Sequence, residues 1–138
     1  MSTLNFSTGV VKHSINEKYE VEFNPTDVFF GERLIHAFEE LEKKQGDKQD
    51  ALAKATPREA LALARKWDGE MREVIDSVFG GPLCENVFGD TCVYALADGL
   101  PLWANLLFAV MDEMDVAMVR ERKATDPRIS KYTKKYHK

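Results

Sequence analysis

The stretch from Leu100 to Val119 is strongly apolar, and it limits what this chain can fold into more than any other segment. Its length is close to the roughly 20 residues that a helix needs to cross a membrane. Polar residues interrupt it, however, and acidic groups at bilayer depth are costly. We therefore expect a buried helix in a protein that has no membrane partner. The interrupting residues are Asn105, Asp112, Glu113 and Asp115.

This helix is predicted to begin near Pro101, because proline suits the first helical position and Asp98-Gly99 favours a turn before it. It should run to about Lys123. Apolar residues on more than one side of the helix indicate packing against several elements or against another copy of the chain. Self-association into a homo-oligomer therefore stays open. The apolar residues are Leu102, Trp103, Leu106, Leu107, Val110, Met111, Met114 and Met118.

Charge is distributed unevenly along the chain. The net charge is −4, but residues 120–138 hold eight Lys and Arg against two acids, which is +6, so residues 1–119 carry −10. The chain's 138 residues fit one domain. We therefore expect a single domain over residues 1–124 and a basic, flexible tail over residues 125–138. Such a tail can meet an acidic surface or nucleic acid, aid solubility, or fold back on its own acidic body.

The first 24 residues have the pattern of a β-hairpin. Residues Lys18 to Phe23 alternate polar and apolar side chains, as a half-buried strand does. The segment from Asn5 to Val11 is predicted to pair with it across a turn near Asn16. Because a lone hairpin is marginally stable in water, this one should pack on the helices that follow or on another subunit.

Two helices are predicted between the hairpin and residue 82. The first has Asn24 as its N-cap and Pro25 in its first turn, with Thr26 as the alternative cap. It should end at Gly46, before a polar loop over residues 46–55 that is partly helical at most. Its apolar stripe is Phe30, Leu34, Ile35, Phe38 and Leu41.

The second helix should begin at Thr56-Pro57-Arg58-Glu59, a strong capping-box sequence, and end at Gly80-Gly81-Pro82. A short helical turn is predicted from Cys84 to Phe88, stopped by Gly89, whereas Thr91 to Leu96 fits a strand or a helix. The expected fold is therefore α+β and mainly α, with a small N-terminal hairpin and about three main helices. The stripe of the second helix is Leu61, Ala64, Trp67, Met71, Val74, Ile75 and Val78.

Residues that carry catalysis or bind metals do not converge in this sequence. His13, His36 and His137 fall in different elements, and Cys84 and Cys92 lie too far apart for the close pairing of a structural zinc site. The carboxylates near Asp112 can hold a cation, but a solvated helix face explains them better. We expect no catalytic residue, cofactor or metal. Without a secretory signal we expect the cytoplasm, where both cysteines stay thiols.

The long helix and the tail carry the candidate partner-binding residues. Methionines offer an adaptable apolar surface, although they also fill ordinary cores. The tail interleaves lysines with tyrosines, which suits a protein groove and, less well in an acidic protein, nucleic acid. The candidates are Trp103, Leu107, Met111, Met114, Met118, Lys131, Tyr132, Lys134, Lys135 and Tyr136.

Several short runs resemble one known family. They are Asn24 to Leu34, Val87-Phe88-Gly89, Tyr94 to Leu102, and Lys131 to Tyr136, which follow an N-terminal strand pair and a middle helix. Together they resemble the small tail assembly chaperones of long-tailed phages and prophages of Gram-positive bacteria. The likeness spans most of the chain, although each run is short and of low specificity.

The resemblance implies a non-enzymatic role in the host cytoplasm. Chaperones of this family coat the tape measure protein, keep it soluble and recruit tail tube protein, and they are absent from the mature virion. The family has no catalytic residues to carry over. Two other functions remain open from the sequence: a small regulatory or nucleic-acid-binding protein that uses its basic tail, and a structural tail-completion or connector protein.

Overall fold

A computed structural model describes residues 1–124 and 127–136. The fold is α+β and mainly helical, with a small N-terminal antiparallel hairpin, as the sequence predicted. No helix in the described part of the chain is long and apolar enough to cross a membrane. In chain order the elements are β1 (Val11–Ile15), β2 (Tyr19–Phe23), α1 (Val28–Leu52), α2 (Pro57–Phe79), α3 (Leu83–Phe88), β3 (Leu96–Ala97), β4 (Leu100–Pro101), α4 (Leu102–Lys123) and α5 (Arg128–Tyr136).

The N-terminal hairpin turns where the sequence predicted, but its first strand lies later in the chain. Asn16 and Glu17 both have positive φ, 51° and 59°, and the Lys18 N–H donates to the Ile15 carbonyl at 2.9 Å. This turn pairs Val11 with Phe23 at the far end of the ladder. The predicted first strand, residues 5–11, is therefore wrong, because residues 5–10 would lie beyond the end of β2.

Helix α1 begins at an aspartate that the sequence analysis did not select. The Asp27 carboxylate accepts the Phe29 N–H at 3.0 Å and is the N-cap. The predicted caps, Asn24 and Thr26, are wrong, because they contact each other instead. The Asn24 side-chain oxygen accepts both the Thr26 N–H and the Thr26 hydroxyl at 2.8 Å, which forms a turn just before the helix.

Helix α1 also continues through Gly46 to Leu52, so the loop predicted over residues 46–55 is mostly helix. A glycine inside a helix costs only about 1 kcal/mol against alanine. Tertiary contacts on both sides of Gly46 offset that cost. Trp103 Nε1 donates to Gln45 Oε1 at 3.1 Å, and Lys48 Nζ lies 3.4 Å from the ring centroid of Tyr94.

The predicted ends of helix α2 are confirmed. The Thr56 hydroxyl accepts the Glu59 N–H at 3.3 Å, and the Glu59 carboxylate accepts the Thr56 N–H at 3.1 Å. At the other end Gly80 adopts the left-handed conformation with φ 77°. The predicted stripe is wrong at Leu61, which is exposed, because only the later turns of α2 face the core.

The core lies where α1, α2, α3, α4 and β2 meet. The segment before α4 follows an irregular path, and then the Asp98-Gly99 turn joins the two-residue strands β3 and β4. The first N–H groups of α4 find partners in that segment: Trp103 donates to the Val93 carbonyl at 2.9 Å. Helix α4 then ends at Lys123, as predicted.

An arginine on α2 holds the irregular segment in place. Arg72 donates to the carbonyls of Gly89 and Thr91 at 2.7 and 2.8 Å. Its Nε donates to Asp68 Oδ2 at 2.8 Å, while Asp68 Oδ1 accepts the Val93 N–H at 2.7 Å. One ion pair therefore closes the loop that leads into α4.

Candidate partner-binding groove and C-terminal helix

An open, mostly apolar groove lies between the beginning of α1 and the second half of α4. Its volume is about 470 Å³. We call it the methionine groove, because three of the predicted partner-binding residues, Met111, Met114 and Met118, form its α4 wall. The residues that line it are Pro25, Thr26, Asp27, Val28, Gly31, Leu34, Ile35, Met111, Met114, Asp115 and Met118.

The α1 wall of the groove is open because a glycine stands where a side chain would fill it. A Cβ at Gly31 would lie 3.1 Å from the Met114 Cε. On either side of Gly31, Val28 and Ile35 are exposed, with Val28 keeping 74% of its surface in water. The sequence analysis placed Ile35 in the core stripe, and that assignment is wrong, because its neighbour Leu34 takes the buried position.

The groove has an acidic border. Among the described residues that line it, the charged ones are Asp27 and Asp115. Asp115 is exposed, and Asp27 is half-buried at the helix N-terminus. An apolar groove bordered by carboxylates suits an amphipathic helix whose apolar face is flanked by lysine or arginine.

Two of the predicted partner-binding residues belong to the core instead. Trp103 is 3% exposed and Leu107 is 0% exposed. The Trp103 ring packs edge-on against Phe38 with centroids 5.4 Å apart, and its indole N–H donates to Gln45 Oε1. The prediction is therefore wrong for both residues, because they lie on the side of α4 that faces the core.

The remaining five predicted residues lie on helix α5, where the sequence analysis expected a flexible tail. The structure describes residues 128–136 as a helix with no buried residue. The boundary at Thr125 and Asp126 and the end of the tail at residues 137–138 lie outside the described residues. The five residues are Lys131, Tyr132, Lys134, Lys135 and Tyr136, all exposed.

Helix α5 has two distinct faces. Ile129, Tyr132 and Tyr136 follow one another at helical spacing, and the two tyrosine rings stack with centroids 6.5 Å apart. Lys134 lies on the opposite side of the helix. The Nζ atoms of Lys131 and Lys135 each lie 5.4 Å from a tyrosine ring centroid, those of Tyr132 and Tyr136, at the edges of the apolar face. None of the described α5 residues lines the methionine groove. The predicted site is thus two separate surfaces.

The cysteines are free thiols. Cys84 is buried, its Sγ lies 3.8 Å from the Arg72 carbonyl, and its N–H donates to Asp76 Oδ1 at 2.9 Å. Burial raises the pKa of the Cys84 thiol, and the Asp76 carboxylate raises it further. This places Cys84 in the protonated form, which is a poor nucleophile.

The acidic residues of α4 do not converge with other ligands. Asp112 and Asp115 are exposed, while Glu113 lies 3.7 Å from His13 Nε2 on β1. In residues 1–124 and 127–136 no three His, Cys, Asp or Glu side chains are grouped so that they could hold a metal ion.

Sequence reasoning missed the α1 side of the groove. Val28 and Ile35 are seven residues apart and share a helix side with Gly31, whereas the core residues Phe30 and Leu34 lie on the next side. The signal was present as two adjacent apolar stripes. The predicted stripe took in Ile35 and left out Val28, because the apolar pattern alone does not show where one stripe ends and the next begins.

Comparison with known proteins adds no relative. No protein-family model matches the chain, and no curated protein or solved structure is significantly similar to it.

Proposed function

We propose that this protein is a non-enzymatic phage tail assembly chaperone whose methionine groove binds helical segments of the tape measure protein. The groove is the observation that carries the proposal. It is apolar and open to solvent, and it has acidic residues at its border. The sequence resemblance supplies the client, and the cytoplasm of the host cell is the proposed place of action.

The chemistry of the groove suits a client with many different binding segments. Methionine side chains are unbranched and polarizable, so Met111, Met114 and Met118 can adjust to different apolar partners. Promiscuous binders often use such surfaces. Asp27 and Asp115 then favour segments that carry Lys or Arg beside the apolar face. An open groove of this kind favours reversible binding, which a chaperone that releases its client for tail assembly requires.

Co-expression with the tape measure protein tests the proposal. The intact protein is expected to keep this client in the soluble fraction, and Val28→Asp is expected to return it to the pellet, because a charge enters the groove wall. Phe29→Asp is the matched control. It adds the same charge at the next residue of α1, where the side chain is equally exposed but does not line the groove.

Client that stays insoluble with the intact protein would overturn the proposed function. Equal loss of solubility in both variants would overturn the groove as the binding surface. Circular dichroism of the purified variants establishes that both remain folded.

Helix α5 supports a second candidate, a regulatory protein that binds nucleic acid. Its exposed lysines are arranged next to two tyrosines, and base stacking on tyrosine with phosphate contacts to lysine is a common mode of single-strand binding. This function requires an affinity that falls steeply with salt and is lost when Lys131, Lys134 and Lys135 are replaced by serine. An affinity that is flat with salt excludes it.

A further inference from the structure

Helix α5 is amphipathic, and its apolar face is exposed to solvent. Its apolar face comprises Ile129, Tyr132 and Tyr136, and Ile129 keeps 76% of its surface in water. A helix of nine residues is too short to be stable on its own in water. Its stability therefore requires a surface that covers the apolar face.

The methionine groove has the complementary character. It is apolar like the exposed face of α5, and its border carries Asp27 and Asp115, which are opposite in charge to Lys131 and Lys135 at the edges of that face. The same complementarity holds for the chain as a whole, since residues 1–119 carry −10 and residues 120–138 carry +6. Opposite charges on two apolar surfaces favour their association and fix its orientation.

If it folded back along α4, helix α5 would reach only part of the groove of its own chain. It begins five residues after α4 ends at Lys123. If it returned antiparallel along α4, a rise of about 1.5 Å per residue would place Tyr136 near the level of Asp115. Met111 lies about 6 Å further along α4 by the same rise. The α5 helix of the same chain would thus leave the part of the groove near Met111 uncovered.

We propose that the apolar face of α5 binds the methionine groove of a second copy of this chain. An exchange of α5 helices between two copies gives a two-fold symmetric dimer in which each groove is filled and each α5 is covered. The contact is reversible, because it consists of one short helix in an open groove. The inference does not depend on the proposed client, although α5 and a client helix would compete for the same groove.

Analytical ultracentrifugation of the full chain tests this proposal. The intact protein is expected to show a monomer–dimer equilibrium. Ile129→Asp is expected to weaken dimerisation about tenfold or more, because a charge replaces one of the three apolar residues of the contact. The matched control is Ser130→Asp, which makes the same charge change at the next residue, away from the apolar face.

The groove side has its own matched pair. Val28→Asp is expected to weaken the dimer as strongly as Ile129→Asp, whereas Phe29→Asp leaves it unchanged. Mixing the Ile129→Asp and Val28→Asp variants then separates exchange between copies from contact within one chain. The first retains an intact groove and the second an intact α5, so the mixture is expected to recover one interface and associate more tightly than either variant alone.

Several outcomes would overturn the proposal. An intact protein that stays monomeric at every concentration would do so, and so would a dimer that tolerates both Ile129→Asp and Val28→Asp. If the mixture of the two variants associates no more tightly than either variant alone, α5 binds the groove of its own chain rather than that of a second copy. Because no client is present, none of these results decides whether the protein is a chaperone.

Discussion

The indole Nε1 of Trp103 donates a hydrogen bond to Gln45 Oε1 at 3.1 Å, which joins the first turn of α4 to the last third of α1. Trp103 is buried, so its indole N–H cannot donate to water instead if the Gln45 acceptor is removed. The bond stands one residue before Gly46, where a helix commonly ends. It therefore supports the extension of α1 to Leu52.

Replacing Gln45 with alanine is expected to destabilise the protein by roughly 1–3 kcal/mol, because a buried donor loses its acceptor. Chemical denaturation measures the change in the free energy of unfolding. Hydrogen exchange should also accelerate in residues 46–52, which lose their nearest tertiary anchor. Gln49→Ala, at an exposed position on the same helix, serves as the control and should leave stability almost unchanged.

Two glycines of α1 are expected to respond differently to alanine. At Gly46 an added Cβ meets nothing within 4 Å, so Gly46→Ala should stabilise the protein by up to about 1 kcal/mol. At Gly31 the Cβ meets the Met114 Cε at 3.1 Å, and the methionine must move. Gly31→Ala should therefore stabilise the protein less than Gly46→Ala does. Thermal unfolding of the two variants compares them, and an equal gain would contradict the close contact across the groove.

Arg72 is expected to be more important for stability than other arginines of α2. Arg72→Met removes the donors of two backbone carbonyls and leaves Asp68 without its ion pair, at a cost of roughly 2–3 kcal/mol. Arg72→Lys should retain only part of the stability that Arg72→Met loses, because an ammonium cannot make the same forked contacts as a guanidinium. Arg65→Met, at an exposed position of α2, should change the free energy of unfolding little.

The buried thiol of Cys84 predicts a loss of stability at alkaline pH. Its pKa is raised in the folded protein, so its contribution is fully present below the unfolded thiol pKa of about 8.5 and is lost as the pH rises above that value. The slope should stay below the roughly 1.4 kcal/mol per pH unit of one fully linked proton. Denaturation curves at pH 7 and pH 10 measure it, and Cys84→Ala should reduce the difference.

The parts of the fold that depend on neighbouring residues could be predicted from the sequence. The ends of α2 follow from Thr56, Glu59 and Gly80, whose hydrogen bonds and left-handed conformation form within a single turn. The Asp98-Gly99 turn is local in the same way. Each of these signals involves residues a few positions apart, so it can be seen in the sequence alone.

Some of the errors occurred where distant contacts decide. Helix α1 passes Gly46 because Trp103 and Tyr94 hold it, and neither contact is visible from the residues around Gly46. Similarly, Trp103 and Met114 look alike in the apolar pattern of α4. Only the three-dimensional packing separates the α4 residues that are buried in the core from those that line the groove. The methionines could therefore be identified as candidates, whereas the α1 wall opposite them could not.

The methionine groove also sets an order of events during synthesis. One wall comes from the beginning of α1 and the other from residues 111–118, so the ribosome makes the two walls far apart in time. Protein chains leave the ribosome N-terminus first. Val28 and Ile35 therefore stay without their opposite wall until the second half of α4 has emerged. A growing chain that has not yet made residues 111–118 has no groove and cannot bind through it.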